Sequence, residues 1–72
     1  MSRIKKLRNM RGYTQAEMRA LTGIALDTYS KIERGQRPMS AKQCVQIALA
    51  LDTSTDYLLG LTDQIVPHPR RK

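Results

Sequence analysis

The chain has 72 residues, with thirteen Lys and Arg against six Asp and Glu, for a formal net charge of +7. Hydrophobic residues make up 40% and aromatic ones 4%, with no Trp or Phe, so the core must be built of Leu, Ile, Met, Ala and three tyrosines, a helix-rich palette. This size suits one small domain and argues against a large enzyme cleft. The single cysteine, Cys44, excludes an internal disulfide and any multi-cysteine metal site. No apolar run reaches the roughly 18 residues of a membrane span. The start, MSRIKKLRNM, is basic but lacks the apolar stretch of a signal peptide, so a cytoplasmic protein is expected.

Breakers divide the chain into five predicted helices, and no stretch alternates with period two for long enough to suggest a strand. The first runs from about Arg3 to Met10, with Ile4, Leu7 and Met10 on its apolar face and Gly12 as its stop. The second opens on a capping box, Thr14 with Glu17, carries Ala16, Met18 and Leu21, and stops at Gly23. The third covers Leu26 to Arg34, with Tyr29 and Ile32 inward. It lacks a capping side chain, which Asp27 in its first turn partly offsets through the helix dipole. The fourth follows Pro38 and Met39, opens on a second box, Ser40 with Gln43, and turns Cys44, Ile47, Ala48 and Leu51 inward. The fifth is brief, Thr55 to Leu59, capped by Ser54, closed by Gly60 and anchored by Tyr57, Leu58 and Leu61. The expected division is a domain over residues 1–63 and a loose basic tail over 64–72.

The charge is concentrated. Arg3, Lys5, Lys6, Arg8 and Arg11 crowd the first eleven residues with no acid among them, and Arg70, Arg71 and Lys72 end the chain. Such a small basic molecule is expected to attract a polyanion. Nucleic acid is the leading partner, ahead of ribosomal contact, a membrane surface or simple solubility. The second and third helices, joined through Gly23, have the layout of a helix-turn-helix. In that arrangement the second helix of the pair enters the major groove, which is about 12 Å wide. Asp27, Thr28, Lys31 and Arg34 make the polar face it would present, with Leu26 at the front edge. The competing explanation is an ordinary surface helix, since Asp27 and Lys31 also form an i,i+4 pair.

From Ile4 to Leu61 the order of signs resembles the phage repressor and Cro type of helix-turn-helix, the XRE-like family of transcriptional regulators. The signs are Ile4 and Leu7-Arg8, then Tyr13-Thr14-Gln15-Ala16-Glu17, then Gly23. Ser30, Ile32, Glu33 and Gly35 follow, then Ile47-Ala48, Leu51 and Asp56-Tyr57-Leu58-Leu59-Gly60. The resemblance implies an all-α, five-helix lambda-repressor-like domain that binds double-stranded DNA, commonly as a homodimer on a palindromic operator and commonly as a repressor. It also implies that Leu26, Asp27, Thr28 and Lys31 meet base edges, that Gln15 holds a phosphate, and that Arg8 and Glu33 form a semi-buried structural pair. This chain departs from the family pattern at Ala25, where a capping Ser or Thr is usual, at Arg19 in place of a small residue, and at Pro38-Met39, where the proline comes one position early.

Thr14 and Gln15 also stand at a helix N-terminus, an anion site in its own right, though simple capping would explain Thr14 alone. Arg11, Arg34 and Arg37 complete the expected phosphate contacts, while Arg3, Lys5 and Lys6 provide steering. A second function class stays open: an antitoxin-like or accessory protein-interaction module, with Val45, Leu49, Leu58 and Leu59 as its dimer or partner surface. No catalytic residues, cofactor or metal are expected, because the lone His68 falls in the tail and Cys44 on the core side. An RNA role lacks the aromatic platform that single strands use.

Overall fold

Four of the five helices start where a hydroxyl closes the first turn. The computed structural model describes residues 2–66 and contains α1 (Arg3–Arg11), α2 (Gln15–Thr22), α3 (Leu26–Glu33), α4 (Ala41–Ala50) and α5 (Thr55–Leu58), with no strand among the described residues. Ser2 accepts from the amides of Ile4 and Lys5, and Ser54 from that of Tyr57. Thr14 with Glu17 and Ser40 with Gln43 form reciprocal capping boxes, each satisfying two amides that the helix itself leaves without partners. The all-α, lambda-repressor-like class follows.

α3 is the exception: Ala25 precedes it and offers no side-chain cap. The turn before it is secured from the other side. Thr22, buried at the end of α2, donates its hydroxyl to the Met18 carbonyl at 2.7 Å and accepts from the Ile24 amide at 3.1 Å. Gly23, between them, takes φ +76°, a left-handed conformation that costs a side-chain-bearing residue energy. Ile24 itself is buried, so the turn is pinned by one hydroxyl and one apolar side chain.

α2 packs against both α3 and α4, α4 against α5, and α5 against α1. The core between them holds Leu7, Met18, Tyr29, Ile47 and Leu51, all fully enclosed, with Ile4, Ile24, Ile32, Cys44, Ala48, Tyr57 and Leu58 around them. Several expected anchors lie outside it. Met10 is exposed, because two three-residue steps from Ile4 rotate a helix position by about 120° away from the starting face. Leu21 is exposed for a similar reason: four residues after Met18 returns closer to its face than three, and Thr22 takes the inward place. Ala16 also faces solvent. Leu61 is exposed, and only its amide contributes, donating to the Asp56 carbonyl.

Leu58, expected both as an anchor of the fifth helix and on a partner surface, is only 9% exposed and belongs to the core. α5 is a single turn wedged between α1 and α4, so the adjacent Tyr57 and Leu58 are both covered. Contacts with the core continue past Asp63. Ile65, two residues beyond the expected boundary, packs against the core, and its carbonyl accepts from the Thr53 hydroxyl. The remaining tail from residue 67, including His68 and the basic C-terminus, lies outside the described residues.

Because α3 alone lacks a side-chain cap, Ala25→Ser is expected to stabilise the domain by about 0.5–1 kcal/mol. A higher midpoint in urea unfolding checks this; an unchanged midpoint would mean that the Thr22 turn already holds the helix start.

Candidate nucleic-acid interface

The carboxylate of Glu33, at the last position of α3, is 2% exposed. Arg8 on α1 meets it with two hydrogen bonds, Nε to Oε2 and Nη2 to Oε1, both 2.9 Å. The third arm of the same guanidinium donates to the Tyr13 carbonyl at 2.8 Å. Gln15 in the first turn of α2 adds a bond from Nε2 to Glu33 Oε1 at 3.2 Å. One acid therefore ties together α1, the entry to α2 and the end of α3. The Tyr29 hydroxyl is buried beside the group without a well-formed hydrogen bond, yet couples to it electrostatically.

Burial alone pushes the Glu33 carboxyl up. The hydrogen bonds from Arg8 and Gln15, the adjacent Tyr29 hydroxyl and the Arg8 charge outweigh that and hold it below its ordinary value. Tyr29 moves the other way, raised chiefly by burial and then by the neighbouring carboxylate. Burial raises the Cys44 thiol as well, which makes it a poor nucleophile.

The clamp fixes one face of α3 and leaves the other in water. Tyr29, Ile32 and Glu33 are buried, while Leu26, Asp27 and Lys31 are exposed and Thr28 is half-buried. Lys31 Nζ lies 3.3 Å from Asp27 Oδ2, so the two most polar members of that face are already paired. Thr14 and Gln15 open α2. Gln15 uses one amide hydrogen on Glu33, and its second remains for another acceptor. The Thr14 hydroxyl oxygen accepts from the Glu17 amide, which leaves its hydrogen for donation. Arg34 and Arg37 are exposed at the end of α3 and in the loop beyond, with Arg34 Nε reaching back to the Ser30 carbonyl at 3.3 Å. Arg19 is exposed on α2, which keeps its bulk out of the packing between α2 and α3.

Two arginines also serve the fold. Arg11 donates to the Leu51 carbonyl at 2.9 Å and the Asp52 carbonyl at 3.2 Å, closing the end of α4, while its side chain stays exposed. Arg3, expected only to steer, donates to the Tyr57 and Thr62 carbonyls at 3.1 and 2.7 Å and to Asp63 Oδ1 at 2.8 Å, with its guanidinium 4.6 Å from the Tyr57 ring centre. These partners lie 54 to 60 residues away for Arg3 and 40 or 41 for Arg11, so no local spacing signals them.

A helix-turn-helix family model matches residues 4–58, from the apolar face of α1 to the end of α5. The chain belongs to this family, in its Cro/C1 or XRE-like branch, which is a family of transcription regulators and not of enzymes. It is 33% identical over 70 residues to the uncharacterized HTH-type transcriptional regulator YobD of Bacillus subtilis (strain 168), covering 97% of this chain and 62% of that protein. It is 37% identical over 57 residues to the SPbeta prophage-derived uncharacterized HTH-type transcriptional regulator YonR of the same organism, covering 79% of this chain and 53% of that protein. The match thus spans somewhat over half the length of each relative. No solved structure matches the chain significantly.

Truncating Arg8 leaves the Glu33 charge enclosed, so Arg8→Ala is expected to cost about 3 kcal/mol in chemical unfolding. The depressed Glu33 value also has a sign. Its stabilisation is complete above the ordinary carboxylate value of about 4.5 and is lost as pH falls through the lower folded value. Glu33→Gln should flatten that acid limb of the stability curve. An Arg8→Ala protein with an unchanged midpoint would contradict the clamp.

Proposed function

We propose that the chain is a sequence-specific double-stranded DNA-binding transcriptional regulator of the cytoplasm, acting as a repressor that occupies a palindromic operator as a homodimer. The observation that carries this is the division of α3: its inner face is clamped through Tyr29, Ile32 and Glu33, and its outer face offers Leu26, Asp27 and Lys31 to solvent. A helix held in this way can enter the major groove without rearranging its own core. Membership of a regulator family and the names of the two relatives support the same reading.

In this reading Leu26, Asp27, Thr28 and Lys31 meet base edges. Leu26 suits a thymine methyl, and Lys31 suits guanine O6 or N7. Thr14 and Gln15 contact a phosphate at the positive end of α2, with Arg34 and Arg37 as further phosphate contacts. Two copies would set their α3 helices about 34 Å apart, one duplex turn. Val45 and Leu49, one turn apart and exposed on α4, together with Leu59 beyond α5, supply apolar surface for a second copy. The same surface supports the second reading, a protein-interaction module. A protein that stays monomeric at high concentration and prefers no duplex would favour that alternative.

Selection of duplexes from a random pool tests the main reading, with a symmetric enriched site as the expected result. Affinity for that site should fall steeply with salt. Lys31→Ala should weaken specific binding by about 1–3 kcal/mol and relax preference at one position. A flat salt response with no enriched site would overturn the proposal.

A further inference from the structure

We propose that the cleft between α1, the end of α3 and α5 is a docking site for a partner protein, through an acidic segment that also bears large apolar side chains. The cleft has a volume of about 820 Å³ and is open to solvent. Ile4, Ile32, Leu58 and Leu59 make its apolar lining. The first three show only their edges, at 9% exposure or less, while Leu59 is 59% exposed.

Three cations border this apolar strip. Lys5 and Lys6 follow one another on α1, and Arg34 stands just past the end of α3. All three are exposed, and neither lysine side chain has a partner among the described residues. Arg34 uses only Nε, on the Ser30 carbonyl. The one acid in the lining, Glu33, is enclosed and held by Arg8. No open carboxylate in the lining therefore balances the lysines.

This composition selects among occupants. DNA phosphates would satisfy the cations and leave the apolar strip wet. Residues 67–72 of the chain hold three basic residues and no acid, so they carry the same sign as the cleft. A second copy suits it poorly, because the chain is +7 and its acids never stand closer than four residues apart. An acidic segment with apolar side chains meets both demands. Apolar burial supplies affinity, and the charges supply orientation and a fast approach.

The site has a regulatory consequence. Arg34 belongs both to the cleft and to the phosphate contacts proposed above, and the cleft shares no other residue with that set or with the base-facing one. A bound acidic segment takes this guanidinium and adds negative charge beside the duplex, so each ligand weakens the other. This consequence rests on the DNA-binding reading; the docking site does not.

The test selects short random peptides displayed on phage against the full chain. Enriched peptides should combine several Asp or Glu with Leu, Ile, Met or Phe. Within a selected peptide, changing the acids to amides or the apolar residues to serine should weaken binding about tenfold or more. Lys5→Glu and Lys6→Glu should each do the same. Both positions lie in the first half of α1, where an acid suits the helix dipole, and circular dichroism checks that the variants fold. Lys42→Glu, an equal charge change at an exposed position outside the cleft, should leave binding within about twofold. Amide NMR shifts on adding the peptide to the unaltered chain should cluster at Lys5, Asn9, Gly35 and Gly60. A selected peptide should also weaken the complex with the enriched duplex about tenfold.

No enriched peptide, acids enriched without apolar residues, or binding that survives both lysine variants would overturn the docking site. Self-association of the chain that Lys5→Glu abolishes would give the cleft to a second copy instead. A peptide that binds without weakening the duplex complex would remove the antagonism alone. Failure to enrich any duplex would remove the DNA-binding reading and leave the docking site standing.

Discussion

The Glu33 carboxylate, enclosed at the end of α3 and met by Arg8 from α1 and Gln15 from α2, is the interaction on which the rest of the structure depends. Removing a carboxylate from water costs several kcal/mol, and its partners must return most of that. Arg8 does so through a two-point fork, and the same guanidinium holds the Tyr13 carbonyl just before α2 begins. A buried ion pair of this kind is weak evidence for high stability. Its stronger consequence is geometric, since three helices can satisfy it only in one relative placement.

That placement matters because α3 is otherwise lightly secured. It is eight residues long, below the length at which a helix persists alone, and its start carries no capping side chain. The Thr22 hydroxyl and the buried Ile24 fix the entering turn, Tyr29 and Ile32 anchor the middle, and the clamp holds the end. Leu26, Asp27 and Lys31 take no part in these contacts, although Asp27 in the first turn and its i,i+4 pair with Lys31 add a smaller support of their own. The clamp also links Gln15 to α3, which sets the positive end of α2 in a constant relation to the exposed face.

Much of this was legible in the sequence because it is local. The boxes Thr14-Glu17 and Ser40-Gln43 and the glycine stops mark helix limits within a residue or so, and the inward stripe of α4 follows from its spacing. The Arg8–Glu33 contact was accessible only through resemblance, because 25 residues separate the partners. The fold contacts of Arg3 and Arg11 are hidden from the sequence for the same reason. A charge count cannot distinguish an arginine that caps a distant helix end from one that waits for a phosphate. Met10 and Leu21 lie off the apolar face because an i,i+3 step cannot be extended far along a helix, and a single-turn helix such as α5 has no period to show which side of Leu58 is covered. Ile65 packs against the core without following any periodic segment that would mark it.

The central claim is that the outer face of α3 enters duplex DNA while the clamped core stays still. The most direct measurement is an amide NMR titration of the chain with its selected duplex. The account predicts large shifts for Thr14, Gln15 and the run from Leu26 to Lys31, with the amides of Ile47 and Leu51 nearly unmoved. Shifts confined to Val45, Leu49 and their neighbours on α4, with α3 unchanged, would contradict it.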